Sequence, residues 1–265
     1  GPHEDGVMDN FSHDPYAKNA MIDTAENVGA KYQIGTEEQH DLVLRRHEQY
    51  QDALANDQAF QKRYMSLPFD VPDNRFRKSV TTLTGDEGVF AVTAEGLSKL
   101  RPVKEGGSIT FGGQTHPADG NACMVVATPD KARELSKDKN VVIEILGFGM
   151  ARAELAYMPE APVPAAMKAL EKAGLTIADL DAVKTHNPFA ANDIYFASQT
   201  GYDIQKMNNS GCPLVWRHPQ SPMGTRGVIE LIEELVIRGG GTGLFTGCAA
   251  GDTAMATVVK VSDGS

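Results

Sequence analysis

From Val141 to Val261 the chain alternates β-branched runs with helical segments, and few folds accept that order. Val141-Val142-Ile143-Glu144-Ile145-Leu146 predicts a strand. Pro162 to Ala173 predicts a helix, with proline near its start and Gly174 just past its end. Ala182 to Thr185 predicts a short strand, and Phe189 to Ser198 a helix. Met223 to Arg238 predicts a long amphipathic helix. Val228, Ile229, Leu231, Ile232, Leu235 and Val236 line one side of it, while Glu230, Glu233 and Glu234 are expected to face water. Gly239, Gly240 and Gly241 stop that helix. Gly243 to Thr246 and Thr253 to Val261 predict two further strands joined by a turn. Alternating strands and helices that close on a hairpin imply an α/β domain.

The first half is less regular. Residues 1–16 read as irregular and polar. Ala20, Met21, Ala25 and Val28 recur with helical period and predict a helix from Ala17 to Lys31. Thr36 followed by Gln39 has the spacing of a capping box, so a second helix is expected from Thr36 to about Asn56, its charged face in solvent. Residues 66–82 read as an extended excursion outside the core. Thr93 to Leu100 predicts a short helix ended by Arg101-Pro102. Ser108 to Phe111 predicts a strand, Gln114 to Gly120 a loop, and Ala122 to Ala127 a helix or strand. The composition shifts at Asp138-Lys139-Asn140, which is read as the boundary between a unit of residues 1–138 and one of residues 139–265.

Bulk properties narrow the function classes. The 265 residues suffice for one large core or two smaller ones. A formal net charge of −10 argues against a nucleic-acid groove, which needs clustered Lys and Arg. No apolar run approaches the roughly 20 residues of a membrane span, and the polar start shows no signal peptide. Cys123, Cys212 and Cys248 are too few and too scattered for a disulfide framework or a zinc cluster. Free thiols and a cytoplasmic setting follow as expectations, with no metal and no tightly bound cofactor.

Three reactive side chains stand where strands give way to loops: His186 in Thr185-His186-Asn187-Pro188-Phe189-Ala190, His218 in Trp216-Arg217-His218-Pro219, and Cys248 in Gly247-Cys248-Ala249-Ala250-Gly251. His218 lies 32 positions after His186, and Cys248 lies 30 after His218. A thiol and two imidazoles are parts able to move protons and hold an oxyanion in acyl transfer. His3, His13, His40, His47 and His116 read as surface or loop residues. Cys123 and Cys212 read as small buried residues. Arg45-Arg46-His47 reads either as a solvated helix face or as an anchor for a ligand phosphate.

These motifs, with Thr24-Ala25-Glu26-Asn27-Val28, Glu37-Glu38-Gln39 and Gly106-Gly107-Ser108-Ile109-Thr110, resemble the thiolase family. The resemblance implies a thiolase-like layered α-β-α-β-α fold with a mixed five-stranded sheet in the C-terminal domain. Residues 1–138 resemble the loop domain and the last part of the N-terminal domain, and residues 139–265 a complete C-terminal domain. It implies Claisen exchange on coenzyme A thioesters, with acyl-CoA and coenzyme A as substrates. His218 would activate a nucleophilic cysteine, Cys248 would serve as acid and base at the α-carbon, and His186 would orient an oxyanion-site water. The backbone N–H of Ala250 would serve a second oxyanion site. His116, Phe189 and Arg217 are further candidates for coenzyme A or substrate contacts.

The family's acylated cysteine lies in a segment without a counterpart in this sequence. The resemblance therefore implies a partner, either an N-terminal thiolase segment or a second subunit, that carries it. A homo- or hetero-oligomer is expected, and some relatives also work with a small OB-fold protein. Arg217, Ala250 and Asp252 stand where the family usually has glycine. These departures keep two other readings open: a non-catalytic acyl-CoA-binding scaffold, and a different condensing enzyme of the superfamily.

Overall fold

The computed structural model describes residues 8–263. Its centre is a mixed sheet of four strands in the order β4 (Val141–Arg152), β8 (Thr253–Asp263), β7 (Gly241–Ala249), β5 (Ala182–His186). β4–β8 and β8–β7 are antiparallel, and β7–β5 is parallel. A fifth strand was expected. Its place beside β5 is taken by Met207 alone, which bridges to Val183. The hairpin β7–β8 turns at Ala250–Asp252, so Cys248 sits inside the end of β7 rather than in the turn.

Two helices cover opposite faces of this sheet. α7 (Pro162–Ala173) matches its expected bounds, and its C-cap Gly174 has the left-handed φ of 69°. Ala165, Ala166 and Ala169 of α7 pack with Leu244, Ala254, Ala256 and Val258. The approach is so close that a Cβ at Gly147 or Gly149 of β4 would run into the backbone of α7. α10 (Met223–Ile237) covers the other face, where Phe245 meets Gly227 and Gly243 meets Leu231. Neighbouring strand residues point to opposite faces, so Leu244 and Phe245 serve different layers. Sequence periodicity finds α10 but misplaces two of its carboxylates. Glu230 is fully buried and Glu234 nearly so, because Glu230 accepts from Lys184, Arg226 and Tyr64, and Glu234 from Arg238 and Asn209.

The first half wraps this unit. α1 (Met8–Ser12) precedes α2 (Met21–Tyr32), which starts four residues later than expected. α3 (Thr36–Ala53) is capped by Gly35, not Thr36; the Thr36 hydroxyl donates to Ser108 O instead, so the expected capping box does not form. His40 is buried, hydrogen-bonded to Thr110, and not a surface residue. His3 lies outside the described residues. Past a short α4 (Ala55–Gln58), the excursion is an exposed hairpin of β1 (Phe69–Pro72) and β2 (Ser79–Leu83). α5 (Ala94–Ser98) carries its N-cap at Thr93.

Ser108–Phe111 forms no strand. Glu26 takes the amides of Ser108 and Ile109, which removes the ladder donors. Residues 122–127 form neither helix nor strand and are largely exposed, and α6 (Pro129–Leu135) follows where no helix was expected. No helix among the described residues is long and apolar enough to cross a membrane.

Candidate active site

The site forms where β5 and β7 end side by side. In their parallel register His186 stands abreast of Gly247. A Cβ at 247 would lie 2.9 Å from the His186 Cβ, so glycine allows this approach next to Cys248. α8 (Ala190–Thr200) follows His186 after the Asn187-Pro188-Phe189 loop, with Phe189 buried at its N-cap position. His218 sits in β6 (His218–Pro219), a two-residue strand that follows the short helix α9 (Pro213–Trp216). The His186 and His218 rings meet edge to face, centroids 4.4 Å apart at 70°.

The loop Gln114–Ala118 ties the two histidine segments together. Gln114 bridges Phe189, and Thr115 N donates to Pro188 O at 2.7 Å. His218 N then donates to His116 O at 2.8 Å, and β3 (Pro117–Ala118) pairs in parallel with β6. His116 thus lies beside His218, its ring bonded to Phe111 O and stacked on Phe111. Sequence reading took this stretch for a loop, since two-residue pairings leave no periodicity.

A buried carboxylate fixes the His186 segment. Asp193 on α8 accepts from Thr185 Oγ1 at 2.5 Å and Asn187 Nδ2 at 2.7 Å, the residues on either side of His186. It also accepts from Asn208 and is paired with Arg46 at 3.0 Å, both ions sealed from solvent. Arg46 is therefore neither a solvated face nor a phosphate anchor: its remaining donors go to Gln49 and to the carbonyls of Ile204 and Met207. Asn192, next to Asp193 on α8, donates to the Cys248 sulfur at 3.4 Å. Asn192 and Asp193 were missed in the sequence. The signal was an adjacent polar pair inside the otherwise apolar run from Pro188 to Ala197.

The turn after Cys248 is held by acids. Asp14, almost fully buried, accepts from Gly251 N at 2.7 Å. Asp252 accepts from Ala156 N and adopts a left-handed φ of 55°. Ala250 itself is exposed. Arg217 adopts φ 75° and ψ −173°, a region normally reserved for glycine. Its guanidinium donates to Gly88 O and lies over Phe90.

Burial dominates the electrostatics. It holds His186 well below the ordinary imidazole range, with His218 adding to the effect, and pushes His218 down to about 4. Burial also pushes the Cys248 thiol up to about 12, opposed in part by its own backbone amide and by Asn192. The resting site therefore holds two neutral imidazoles and a neutral thiol. A neutral imidazole can accept a proton, whereas the thiol needs local donors to ionise. His186 Nδ1, His218 Nδ1, Asn187 Oδ1 and Asn192 Oδ1 are buried without a protein partner, a pattern that marks a ligand site.

The other cysteines stand apart from this chemistry. Cys212 is buried, accepts from Asn187, and is pushed up to about 11 chiefly by burial. Cys123 is exposed rather than buried, because residues 121–128 lie on the surface. Among the described residues no group of three or more His, Cys, Asp or Glu is arranged to hold a metal.

Two family models match this chain: "Thiolase, N-terminal domain" over residues 3–130 and "Thiolase, C-terminal domain" over residues 139–261. An acetyl-CoA acetyltransferase of Chromobacterium violaceum is 33% identical over 258 residues, which are 97% of this chain and 64% of that protein. The human mitochondrial 3-ketoacyl-CoA thiolase is 29% identical over 249 residues, 93% of this chain and 61% of the relative. Among solved structures, the Bacillus anthracis acetyl-CoA acetyltransferase superposes with a TM-score of 0.87 at 29% identity, over 98% of this chain and 64% of that one. The human mitochondrial 3-ketoacyl-CoA thiolase in complex with CoA gives 0.80 at 27% identity, over 94% and 60%. The chain thus spans somewhat less than two thirds of the length of these relatives.

Proposed function

The chain belongs to the thiolase family, and from that premise we propose that it supplies the acid–base part of a thiolase-type acyl exchange on coenzyme A thioesters. In this reading residues 1–138 are the loop domain with the end of the N-terminal domain, and residues 139–265 are the C-terminal domain. The observation that carries the reading is the edge-to-face pair His186–His218 at the strand ends, beside the β7 residue Cys248.

The nucleophilic thiol comes from the remainder of the assembly, a further segment or a second subunit. His218, neutral at rest, takes the proton of that thiol as its sulfur attacks the acyl carbonyl. The C–C bond to the α-carbon breaks, and Cys248 gives its proton to the departing acetyl-CoA carbanion. The thiol of free coenzyme A then attacks the acyl-cysteine, giving its proton to the Cys248 thiolate; the bond from the acyl carbon to the nucleophilic cysteine breaks, and that sulfur takes back the proton held by His218. His186 orients the water that, with His218, stabilises the first oxyanion, and the Ala250 amide serves the second. Each such donor is worth roughly 3 kcal/mol in the transition state. His116, Phe189 and Arg217 contribute to the coenzyme A and acyl channel.

Thiolysis of a 3-oxoacyl-CoA by the full assembly tests this. Cys248→Ala is expected to lower turnover by about 10² or more, as loss of a general acid–base does; unchanged turnover removes the role given to that thiol. A scaffold reading is favoured by one observation, the turn after Cys248, where Ala250 and Asp252 stand in place of the family's glycines and Asp252 holds a left-handed φ of 55°. Intact mass after incubation with acyl-CoA separates the two, because the scaffold forms no acyl-cysteine anywhere in the assembly.

A further inference from the structure

Asn192 is the side chain among the described residues that donates to the Cys248 sulfur, Nδ2 to Sγ at 3.4 Å. Its placement is enforced. The next residue, Asp193, is gripped by Arg46, Thr185, Asn187 and Asn208, which leaves the first turn of α8 little freedom to move. Asn192 is 3% exposed, and its Oδ1 is buried without a protein partner. An amide fixed so firmly, with one end on a thiol and the other unsatisfied, is poorly explained as a stability element, because a buried orphan acceptor is itself destabilising.

We propose that Asn192 is a positioning residue for Cys248, holding the sulfur in the site and stabilising its thiolate through the Nδ2–H···Sγ hydrogen bond. The inference rests on the reading of Cys248 as the acid and base. A carbanion-forming step needs that sulfur to shed and regain a proton in a buried place. The charged and titratable groups around it come from several elements. α8 contributes Asp193, whose charge opposes ionisation. β5 contributes His186 abreast of Gly247, with His218 against it. The turn contributes Asp252, with Asp14 bonded to Gly251, and α3 contributes Arg46 through its pair with Asp193. The acids disfavour a thiolate and both imidazoles are neutral at rest. The Asn192 amide is then the side-chain contact with Cys248 that favours the anion.

The test uses the full chain and needs no substrate. The chain is treated with methyl methanethiosulfonate, a small neutral thiol reagent, and Cys248 and Cys123 are followed by peptide mass spectrometry. Exposed Cys123 is the internal standard. Asn192→Leu, similar in size but without a donor or a charge, is expected to slow Cys248 relative to Cys123 roughly threefold or more between about pH 7 and pH 9. About one unit of pKa lowers the thiolate tenfold, and the higher basicity returns part of that as nucleophilicity. Asn192→Ala is expected to move the ratio the same way, and it serves if the leucine variant does not fold. A ratio within about 1.5-fold of the parent, or a faster one, overturns the proposal on the same scale. So does a parent Cys248 that never reacts. Loss of folding in both variants would assign the amide to stability alone, which also overturns it. A negative result here leaves the thiolysis assay of Cys248→Ala standing, and the converse holds.

Discussion

Where α7 meets β4 and β8, the joint is mainly close apolar packing of alanines against glycines, with one directional contact at its exposed edge, Lys168 donating to Met150 O. Where residues 8–135 meet that unit, apolar packing is supplemented by side chains that must point one way. Arg46 reaches Asp193, Asn27 donates to Ala156 O, and Asp14 holds Gly251. Asp86 binds Arg226, which with Lys184 neutralises Glu230. The two joints divide the labour. Close-packed small residues supply cohesion, whereas charge-assisted hydrogen bonds also fix direction and fail once displaced by an ångström. The histidine loops sit on the directional joint, which fixes their register.

Asp193→Ala should break that comparison most visibly. It strips a fully buried Arg46 of its counter-ion and unties Thr185 and Asn187 on either side of His186. The expected loss is about 4 kcal/mol, read from the urea midpoint. Replacing Arg46 and Asp193 together by Met and Leu should recover most of that, because the uncompensated ion is gone. A single-variant loss under about 1 kcal/mol would mean that the seam is held by its apolar contacts instead.

The same division explains what could be read from residue order. α7 and α10 were legible because their apolar periods and terminal glycines are local signals. His186 and His218, singled out by their flanking motifs and spacing, meet ring to ring in the fold. The solvent-facing assignment of Glu230 and Glu234 failed because Lys184, Tyr64 and Asn209 reach them from other segments, distant in sequence. The strand expected at Ser108–Phe111 failed for a related reason: Glu26, more than eighty residues earlier, takes its amides. Arg46 looked like one more charge on a helix surface, and Asn192-Asp193 like an ordinary first turn. Long-range polar pairing leaves no period in a sequence, so the directional joint was the part that stayed hidden.

Acidification should sharpen the contrast next. In the folded chain burial pushes His218 down to about 4, while the unfolded chain titrates near its ordinary value of about 6.5. Between those values the unfolded state binds more protons, so stability rises with pH there, is complete above the upper value and is lost toward the lower. His186 is shifted in the same direction and adds to the slope. The parent should lose about 2 kcal/mol or more between pH 7 and pH 5, measured by urea melts at each pH. His218→Gln should flatten that slope. An equal slope in the variant would assign the acid sensitivity to other groups.

The smallest effect is also the most local. Arg217 keeps its hydrogen bond to Gly88 O and its place over Phe90 while its backbone occupies a conformation that suits glycine. Arg217→Ala removes both contacts and keeps the backbone strain, and should cost about 1–2 kcal/mol. Arg217→Gly removes the same contacts but relieves a strain of about 1–3 kcal/mol, so it should be nearly neutral. Glycine would then outrank alanine by about 1 kcal/mol in urea melts, the reverse of the usual order, in which alanine gains from a stiffer unfolded chain. If alanine proves equal or better, the backbone before His218 is relaxed. The side-chain contacts would then be incidental rather than what holds an arginine in a glycine's place.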